Sequence, residues 1–308
     1  MFIPSPKELS KSPERLTSGH RLCPGCGISV IMRQILSATE DPVIVVSATG
    51  CFEICTGAFP YTAWNTPWIH SLFENAASVA SGIEAMQKAL VRKGKLPAKK
   101  QAKILACGGD GATYDIGFQW LSGALERGHN FVYVCFDNEG YMNTGYQRSS
   151  STPRYAATST SPIGKNSVGK PQSRKDLTAI IAAHQIPYVA QGVPSNFPDL
   201  VKKARKAFEV DGPAFLNVLS VCPTNWKTPV SLGMEIIKKA VETCFWPLYE
   251  IENGKTKITY HPAKKIPIEE WLKNQKRFKH LLKPENVELV KNIQQEVDQR
   301  WENLQRCN

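Results

Sequence analysis

The chain has 308 residues and a formal net charge of +11 at pH 7, from 38 Lys and Arg against 27 Asp and Glu. A chain of this length buries a core without a disulfide or metal to hold it, and its charge favours acidic partners of any kind. No apolar run approaches the roughly 20 residues that a membrane span requires. Residues 1–16 contain no apolar stretch of the secretory kind. We therefore expect a soluble, cytoplasmic protein with no membrane association.

The cysteines are odd in number and irregularly spaced, which is not the pattern of a secreted disulfide framework. Cys107 and Cys135 lie in apolar, strand-like runs, where we expect buried and inert thiols. Cys307, next to the last residue, is incidental in this interpretation. We expect several of the remaining cysteines to bind metal.

Apolar patterning predicts five short strands, at residues 42–48, 102–108, 131–136, 187–192 and 214–221. Helix-like stretches lie between them, at residues 74–94, 116–128, 174–185 and 196–208. Strands that alternate with helices indicate an α/β fold, with a mostly parallel sheet covered by helices on both faces. Such a sheet binds its ligand at the carboxyl ends of the strands.

The pattern changes from residue 223 onward. A helix-like segment at 231–244 precedes residues 246–260, which read as a hairpin that turns at Asn253 and Gly254. An amphipathic segment at 284–304 follows. We expect these elements to form an extension that packs on the main domain or on another subunit.

We therefore divide the chain into a main domain, residues 1–222, and a C-terminal extension, residues 223–308. Within the main domain, residues 149–174 form a long polar stretch. The sequence leaves open whether this stretch is a functional loop or is disordered.

Polar side chains follow two neighbouring strands of the predicted sheet. Asp110 ends one strand between Gly109 and Gly111, and Asn138 follows the next strand. Carboxylate and amide oxygens suit Mg²⁺, and the glycines allow backbone N–H groups to approach phosphate oxygens. The pattern predicts a metal-bridged diphosphate site. The alternative is a pair of ordinary turns, in which Gly, Asp and Asn are common.

These motifs resemble a known family. The GDG stretch at 108–117, the DNEGYMNTG stretch at 137–149 and residues 57–85 are similar to the thiamine diphosphate-binding β subunit of 2-oxoacid:ferredoxin oxidoreductases, most closely the pyruvate type. The resemblance runs from about Gly19 to residue 255. It implies the thiamine diphosphate-binding fold and oxidative decarboxylation of a small 2-oxoacid, pyruvate first, with coenzyme A as acceptor and electrons passed to ferredoxin.

The resemblance also implies roles for single residues around the diphosphate. Asp110 and Asn138 would bind Mg²⁺ through their side chains, and Gly140 through its carbonyl oxygen. Asn143 would face the thiazolium ring and stabilise charge that develops on the substrate oxygen. The alternative for Asn143 is a turn residue before Thr144.

A second implied centre is a [4Fe-4S] cluster held by four thiolates. The matching positions are Cys23, Cys26, Cys51 and Cys222. Thr49, Gly50 and Cys51 follow the first predicted strand, so they would lie where the cofactor and the cluster meet.

Two other interpretations of the CPGCG stretch remain open. Cys23, Cys26, Cys51 and Cys55 could form a zinc site in a non-catalytic basic protein. Nucleic-acid binding would be the next expectation there, but no such motif is present, and Asp110 with Asn138 would stay unexplained. A thioredoxin-like dithiol would need the Cys pair at a helix start after a strand.

The resemblance implies partners, because the glutamate that activates thiamine diphosphate belongs to a domain absent from this sequence. We interpret Glu53 and Glu74 as structural. An α subunit would supply the glutamate, most of the substrate pocket and contacts to coenzyme A, and a ferredoxin-like subunit would carry electrons onward. Other small 2-oxoacids remain possible substrates, as does oxalate, which would need no coenzyme A. The basic run 91–103 is a solvated loop or a site for an acidic ferredoxin.

Overall fold

An eight-stranded sheet with helices on both faces forms the centre of the chain. The structure is a computed structural model that describes residues 5, 7, 10–11 and 13–308, so the prediction about residues 1–16 lies partly outside it. Among the helices of the described residues, none is long and apolar enough to cross a membrane.

The sheet has the strand order β10-β9-β7-β8-β4-β3-β1-β2. The six strands from β7 to β2 in this order run parallel, and β9 is antiparallel to both of its neighbours. The strands are β1 Val43–Ala48, β2 Trp68–Ser71, β3 Lys103–Gly109, β4 Val132–Asp137, β7 Tyr188–Gly192, β8 Ala214–Leu219, β9 Leu248–Glu252 and β10 Lys255–Tyr260. A separate ribbon pairs β5 Ile163–Gly164 with β6 Ser167–Val168.

The five predicted strands are confirmed as β1, β3, β4, β7 and β8. Every residue of β4, β7 and β8 is buried, because helices cover both faces of the sheet there. The edge strand β2 was not predicted. Its sequence, WIHS, is too short and too polar to read as an apolar run, and Ile69 and His70 are exposed at the edge.

Helices cover the two faces in separate groups. The helices are α1 Gly27–Leu36, α2 Cys51–Thr56, α3 Ala76–Arg92, α4 Phe118–Glu126, α5 Leu177–Ala182, α6 Phe197–Glu209, α7 Pro223–Trp226, α8 Gly233–Glu242, α9 Glu269–Leu272 and α10 Val287–Arg306. The apolar residues of α1 and α6 share one core cluster, and those of α3, α4 and α5 share another on the opposite face. The predicted α/β fold is confirmed.

The C-terminal extension continues the main sheet. Asn253 and Gly254 both have positive φ, of 49° and 77°, which is the turn geometry that Asn-Gly favours in a tight hairpin. Strand β9 of this hairpin pairs with β7. A third core cluster joins Leu219 of the main domain to Trp246 and Trp271 of the extension. The extension therefore packs on the main domain, and the boundary at residue 222 stays an interpretation.

The polar stretch 149–174 is folded against the carboxyl edge of the sheet. Ser149, Ser151 and Thr152 are buried, and so is Lys170. The Lys170 ammonium donates to the Thr152 carbonyl at 2.6 Å and to two further carbonyls of the same stretch. The stretch is thus an ordered loop that buries several of its polar residues.

Candidate cofactor site

A cleft of about 610 Å³, open to solvent, lies at the carboxyl ends of β1, β3 and β4. Its walls are the residues that follow these three strands, as expected for a parallel sheet. Every predicted cofactor and catalytic residue lines it: Thr49, Gly50, Cys51, Gly109, Asp110, Gly111, Asn138, Gly140 and Asn143. The structure therefore brings the predicted cofactor residues into one place.

Three oxygen atoms converge at the floor of this cleft. The side-chain oxygen of Asn138 faces only acceptors, with Asp110 Oδ1 at 3.1 Å and the Gly140 carbonyl oxygen at 2.8 Å. Turning the amide over would satisfy these contacts with hydrogen bonds. A cation among the oxygens would satisfy them equally, since neighbouring ligands of octahedral Mg²⁺ with bonds of about 2.1 Å lie about 3 Å apart. The donor set fits Mg²⁺.

The Asp110 carboxylate is buried, and among the residues that the structure describes no cationic side chain makes a hydrogen bond to it. Ser149 Oγ donates to Asp110 Oδ2 at 2.5 Å. Burial, followed by the neighbouring Asp137 carboxylate, raises the pKa of Asp110 well above its usual range. A divalent cation among the three oxygens would supply the missing compensation.

The next carboxylate, Asp137, is compensated by the protein itself. Arg174 donates to Asp137 Oδ2 at 2.5 Å, Tyr114 donates to the same oxygen at 2.6 Å, and Ser151 donates to the other oxygen. The roles of Arg174, Ser149 and Ser151 were not predicted from the sequence. The signal available was the polarity of the 149–174 stretch, which marks a loop but not its contacts.

Glycine is required at positions of the cleft for two different steric reasons. A Cβ on Gly50 or Gly109 would meet no atom within 4 Å, so a side chain there would project into space that the protein leaves free. A Cβ on Gly111 would lie 2.6 Å from the Tyr141 ring, at the start of a π-helix, Gly111–Ile116. Gly50 and Gly109 thus leave room for a ligand, and Gly111 allows the cofactor loop to pack.

Asn143 and Thr49 lie on the upper walls of the cleft. Asn143 is exposed at the mouth, in the loop that follows β4. Thr49 Oγ1 donates to the Ser71 carbonyl at 2.9 Å and so ties the end of β1 to the end of β2. Asn143 thus lines the mouth of the cleft, and its catalytic role stays a prediction, while Thr49 shapes the wall.

The four predicted cluster cysteines are neighbours in space. Each thiolate would act electrostatically on the others: Cys23, Cys26, Cys51 and Cys222. The CPGC turn closes through a 3.0 Å bond from the Cys26 N–H to the Cys23 carbonyl. The Gly27 N–H then donates to the Val221 carbonyl at 3.0 Å, which holds the turn beside Cys222.

Backbone N–H groups point at two of these sulfurs. The Asn225 N–H donates to Cys222 Sγ at 3.4 Å, with the Thr224 N–H beside it, and the Ile28 N–H lies close to the Cys26 thiol. Four thiols with N–H donors form a ligand set that fits an iron–sulfur cluster. The same set fits a single ion poorly. Within the described ranges, no three His, Cys, Asp or Glu side chains are placed to hold one metal ion.

Cys55 is the fourth ligand that the zinc interpretation requires. This residue, one turn beyond Cys51 on α2, also lies near Cys23 and Cys51. Zinc holds its four sulfurs closer together than an iron–sulfur cluster does, because each bond to the one ion is about 2.3 Å. The structure therefore gives no support to zinc at these cysteines.

The dithiol interpretation meets only half of its structural requirement. The Cys pair does precede a helix, since α1 begins at Gly27, directly after Cys26. No strand leads into the pair, however, because β1, the first strand among the described residues, begins at Val43. The structure gives no support to a thioredoxin-like dithiol at the CPGCG stretch.

Two acidic residues were interpreted as structural, and the basic run was interpreted as a solvated loop or a site for ferredoxin. Glu53 is buried and pairs with His70, which fits that interpretation, and Glu74 places its carbonyl beside Gly117. The run 91–103 ends at the first residue of β3, so it lies at the amino edge of the sheet, opposite the cleft. That position gives no support to ferredoxin docking at the run.

Comparison with known proteins agrees with this geometry. The family described as thiamine pyrophosphate enzyme, C-terminal TPP binding domain, matches residues 48–218. Pyruvate synthase subunit PorB of Methanocaldococcus jannaschii is 50% identical over 93% of this chain and 95% of its own length. PorB of Thermotoga maritima is 48% identical over 97% and 93%. Ketoisovalerate oxidoreductase subunit VorB of Pyrococcus horikoshii is 43% identical over 95% and 93%.

A solved structure shares the fold. The 2-oxoglutarate:ferredoxin oxidoreductase from Magnetococcus marinus, solved with 2-oxoglutarate, coenzyme A and succinyl-CoA bound, aligns with a TM-score of 0.53 and 21% identity. The alignment covers 74% of this chain and 78% of that one. The match of the family domain and the near-complete coverage by PorB together establish the relationship. The chain belongs to the thiamine pyrophosphate enzymes and, within them, to the PorB-type subunits of 2-oxoacid:ferredoxin oxidoreductases.

Proposed function

We propose that this chain is the β subunit of a cytoplasmic pyruvate:ferredoxin oxidoreductase, which converts pyruvate and coenzyme A to acetyl-CoA and CO₂. One observation carries the proposal. The cleft with three converging oxygens and the group of four thiols share a wall, because Cys51 belongs to both. A carbon-oxidising cofactor and a one-electron acceptor would thus lie side by side.

Three residues would hold the cofactor's metal. Asp110, Asn138 and the Gly140 carbonyl would bind Mg²⁺, and the backbone at Gly109 and Gly111 would meet the diphosphate. Thiamine diphosphate, when bound, supplies the electron sink that decarboxylation of a 2-oxoacid requires. The relatives and the metal-like oxygen set support this assignment.

Asn143 would act on the substrate. Its amide N–H can donate to the 2-oxo oxygen as negative charge develops there, and a neutral donor held in place does so without reorganisation. Phe73 and Met142 line the same cleft and would exclude water from the reacting carbon.

Cys23, Cys26, Cys51 and Cys222 would hold a [4Fe-4S] cluster on the other side of the shared wall. Burial raises the pKa of Cys51 to about 12, so this thiol would bind as thiolate only when the positive charge of the iron compensates it. The N–H donors at Cys222 and Cys26 would stabilise the negative charge of the bound cluster.

The chain would work with partners. An α subunit would supply the activating glutamate, most of the substrate pocket and the contacts to coenzyme A, and a ferredoxin-like subunit or ferredoxin would take the electrons. The PorB relatives favour pyruvate. The VorB relative, at 43% identity, makes a branched 2-oxoacid such as ketoisovalerate the second candidate.

The test is a substrate panel on the assembled enzyme. The chain is coexpressed anaerobically with the subunits encoded beside it, and reduction of a low-potential dye is followed with pyruvate, ketoisovalerate and oxalate, each with and without coenzyme A. We expect the largest kcat/KM with pyruvate, dependent on added thiamine diphosphate and coenzyme A. A larger value with ketoisovalerate, or activity with oxalate alone, would overturn the assignment of substrate.

A further inference from the structure

A four-residue helix connects the thiol group to the cofactor loop. Helix α7 begins directly after Cys222, whose sulfur accepts the Asn225 N–H at 3.4 Å. Pro223 occupies the first position of the helix, where its fixed φ suits the turn. The backbone of Asn225 is thus attached to a predicted cluster ligand.

The side chain of Asn225 reaches the other centre. Its Nδ2 donates to the Asn138 carbonyl at 2.7 Å, and the neighbouring Trp226 Nε1 approaches the same carbonyl at 3.3 Å. Asn225 is fully buried, so this bond is shielded from water. The residue that it holds is the predicted amide ligand of Mg²⁺.

Asn225 also packs against the third predicted metal ligand. A Cβ on Gly140 would lie 3.0 Å from Asn225 Nδ2, tighter than an ordinary contact. Glycine at position 140 therefore lets the amide sit between Asn138 and Gly140. The backbone of one residue contacts the cluster side, and its side chain contacts the backbone of two metal ligands.

We propose that Asn225 is a positioning residue that fixes the cluster ligand Cys222 and the metal-binding loop 138–140 as one unit. This inference rests on the proposed function, since it assumes that both centres are present. The inference goes beyond that function, because it assigns to one buried amide the geometry of two centres that bind different groups.

Loss of the Asn225 amide should affect both the metal-binding loop and the cluster. Without it, the Asn138 carbonyl loses its 2.7 Å bond and keeps the longer one from Trp226, so the 138–140 loop is less well placed for the metal. Helix α7 also loses the shorter of its two bonds to the Asn138 carbonyl, so the N–H groups of residues 224 and 225 should point less well at Cys222 Sγ. Hydrogen bonds to cluster sulfurs help to set the reduction potential, and weaker ones favour the oxidised cluster.

The experiment compares Asn225→Ala with Thr228→Ala in the anaerobically assembled complex. Thr228 lies three residues further on, is largely buried and has no hydrogen-bond partner for its hydroxyl in the part of the chain that the structure describes, so it is a matched control. Affinity for thiamine diphosphate with Mg²⁺ is measured by titration. The midpoint potential of this chain's cluster is measured by EPR, and its signal is identified by its absence in a Cys222→Ala complex.

We expect Asn225→Ala to keep its iron, to bind cofactor roughly three- to tenfold more weakly, as loss of one hydrogen bond implies, and to shift the cluster to a more negative potential. Thr228→Ala should move neither value. A change in only one of the two values, or in neither, overturns the inference. If Asn225→Ala does not assemble, Asn225→Ser is held to the same two outcomes. A wild-type complex without a cluster in this chain, or without affinity for thiamine diphosphate, counts against the proposed function and not against this inference.

Discussion

The two edges of the central sheet differ in the burial of their charged side chains. At the carboxyl edge, Asp110, Asp137 and Glu139 are buried, and two arginines from distant segments, Arg174 and Arg277, are buried with them. Arg277 of the extension pairs with Glu139, and neither side chain is accessible to solvent. Such pairs are costly to break, since removal of one partner leaves an uncompensated buried charge.

At the amino edge the basic partners of two ion pairs stay exposed, Lys88 by 59% and Lys103 by 37% of the side chain. Lys88 pairs with the buried Glu84, and Lys103 lies 4.0 Å from an exposed Asp41. A pair in which both partners are exposed contributes little to stability. Beside the cleft, in contrast, buried carboxylates and buried arginines occur together.

The largest effect should come from removing a cluster ligand. Cys222→Ala and Cys23→Ala should lose the brown colour and the roughly four irons that we attribute to this chain. Cys55→Ala and Cys244→Ala are the controls and should keep both. Iron analysis and the visible spectrum of the anaerobic complex give the result. Loss of iron in Cys55→Ala with retention in Cys222→Ala would show that Cys55, not Cys222, is the fourth ligand. The ligand set would then be the one that the zinc interpretation names.

Next in size is the loss of the buried carboxylate at the cleft. Asp110→Ala removes a charged metal ligand, so thiamine diphosphate should bind more weakly by more than the roughly 10- to 100-fold that loss of an outer-shell partner costs. The cluster should remain. Asp211→Ala, the same change at the exposed amino edge, should bind cofactor normally in the same calorimetric titration. Equal cofactor affinities for the two variants would remove Asp110 from the metal site.

A smaller effect is expected at the mouth of the cleft. Asn143→Ala leaves all three predicted metal ligands in place, so cofactor content should stay near normal while kcat falls by about a hundredfold, as for loss of an oxyanion donor. Asn130→Ala, an exposed asparagine at the amino edge, is the control and should have normal kcat. Single-turnover kinetics with pyruvate and direct cofactor titration separate the two roles. Weak cofactor binding in Asn143→Ala, or a normal kcat, would make Asn143 a turn residue.

The smallest effect should come from the amino edge itself. Replacing Lys99 and Lys100 with Ala changes only exposed charges far from the shared wall, so the rate of ferredoxin reduction should stay within about twofold of the wild-type rate. The dependence of that rate on ionic strength should also be unchanged. A slower rate with a flatter salt dependence would show that the basic run attracts ferredoxin after all.

The parts of the site that follow strands were predictable from sequence. β3 and β4 read as apolar runs, and Asp110 and Asn138 follow them, so parallel pairing alone brings the two together. Helix α1 was missed because it begins in the CPGCG turn, after Cys26, without a capping side chain to mark its start. Local patterns thus identified the rim of the cleft but not every element around it.

The residues that hold the site in place through long-range contacts were not predictable from the sequence. Arg277 meets Glu139 across 138 positions of sequence, and Asn225 meets Asn138 across 87. Neither residue carries a local pattern that distinguishes it from other polar residues of its segment. Their contacts follow from how the extension folds back onto the carboxyl edge, and this depends on the third core cluster and on the pairing of β9 with β7.

The most direct test of the shared wall is an EPR measurement of this chain's cluster after pyruvate is added anaerobically to the complex loaded with thiamine diphosphate and Mg²⁺. We expect the signal that is absent from Cys222→Ala complexes to appear with pyruvate in the wild type and not in Asp110→Ala. A cluster that stays oxidised with pyruvate in the wild type, or becomes reduced equally in Asp110→Ala, would contradict this expectation.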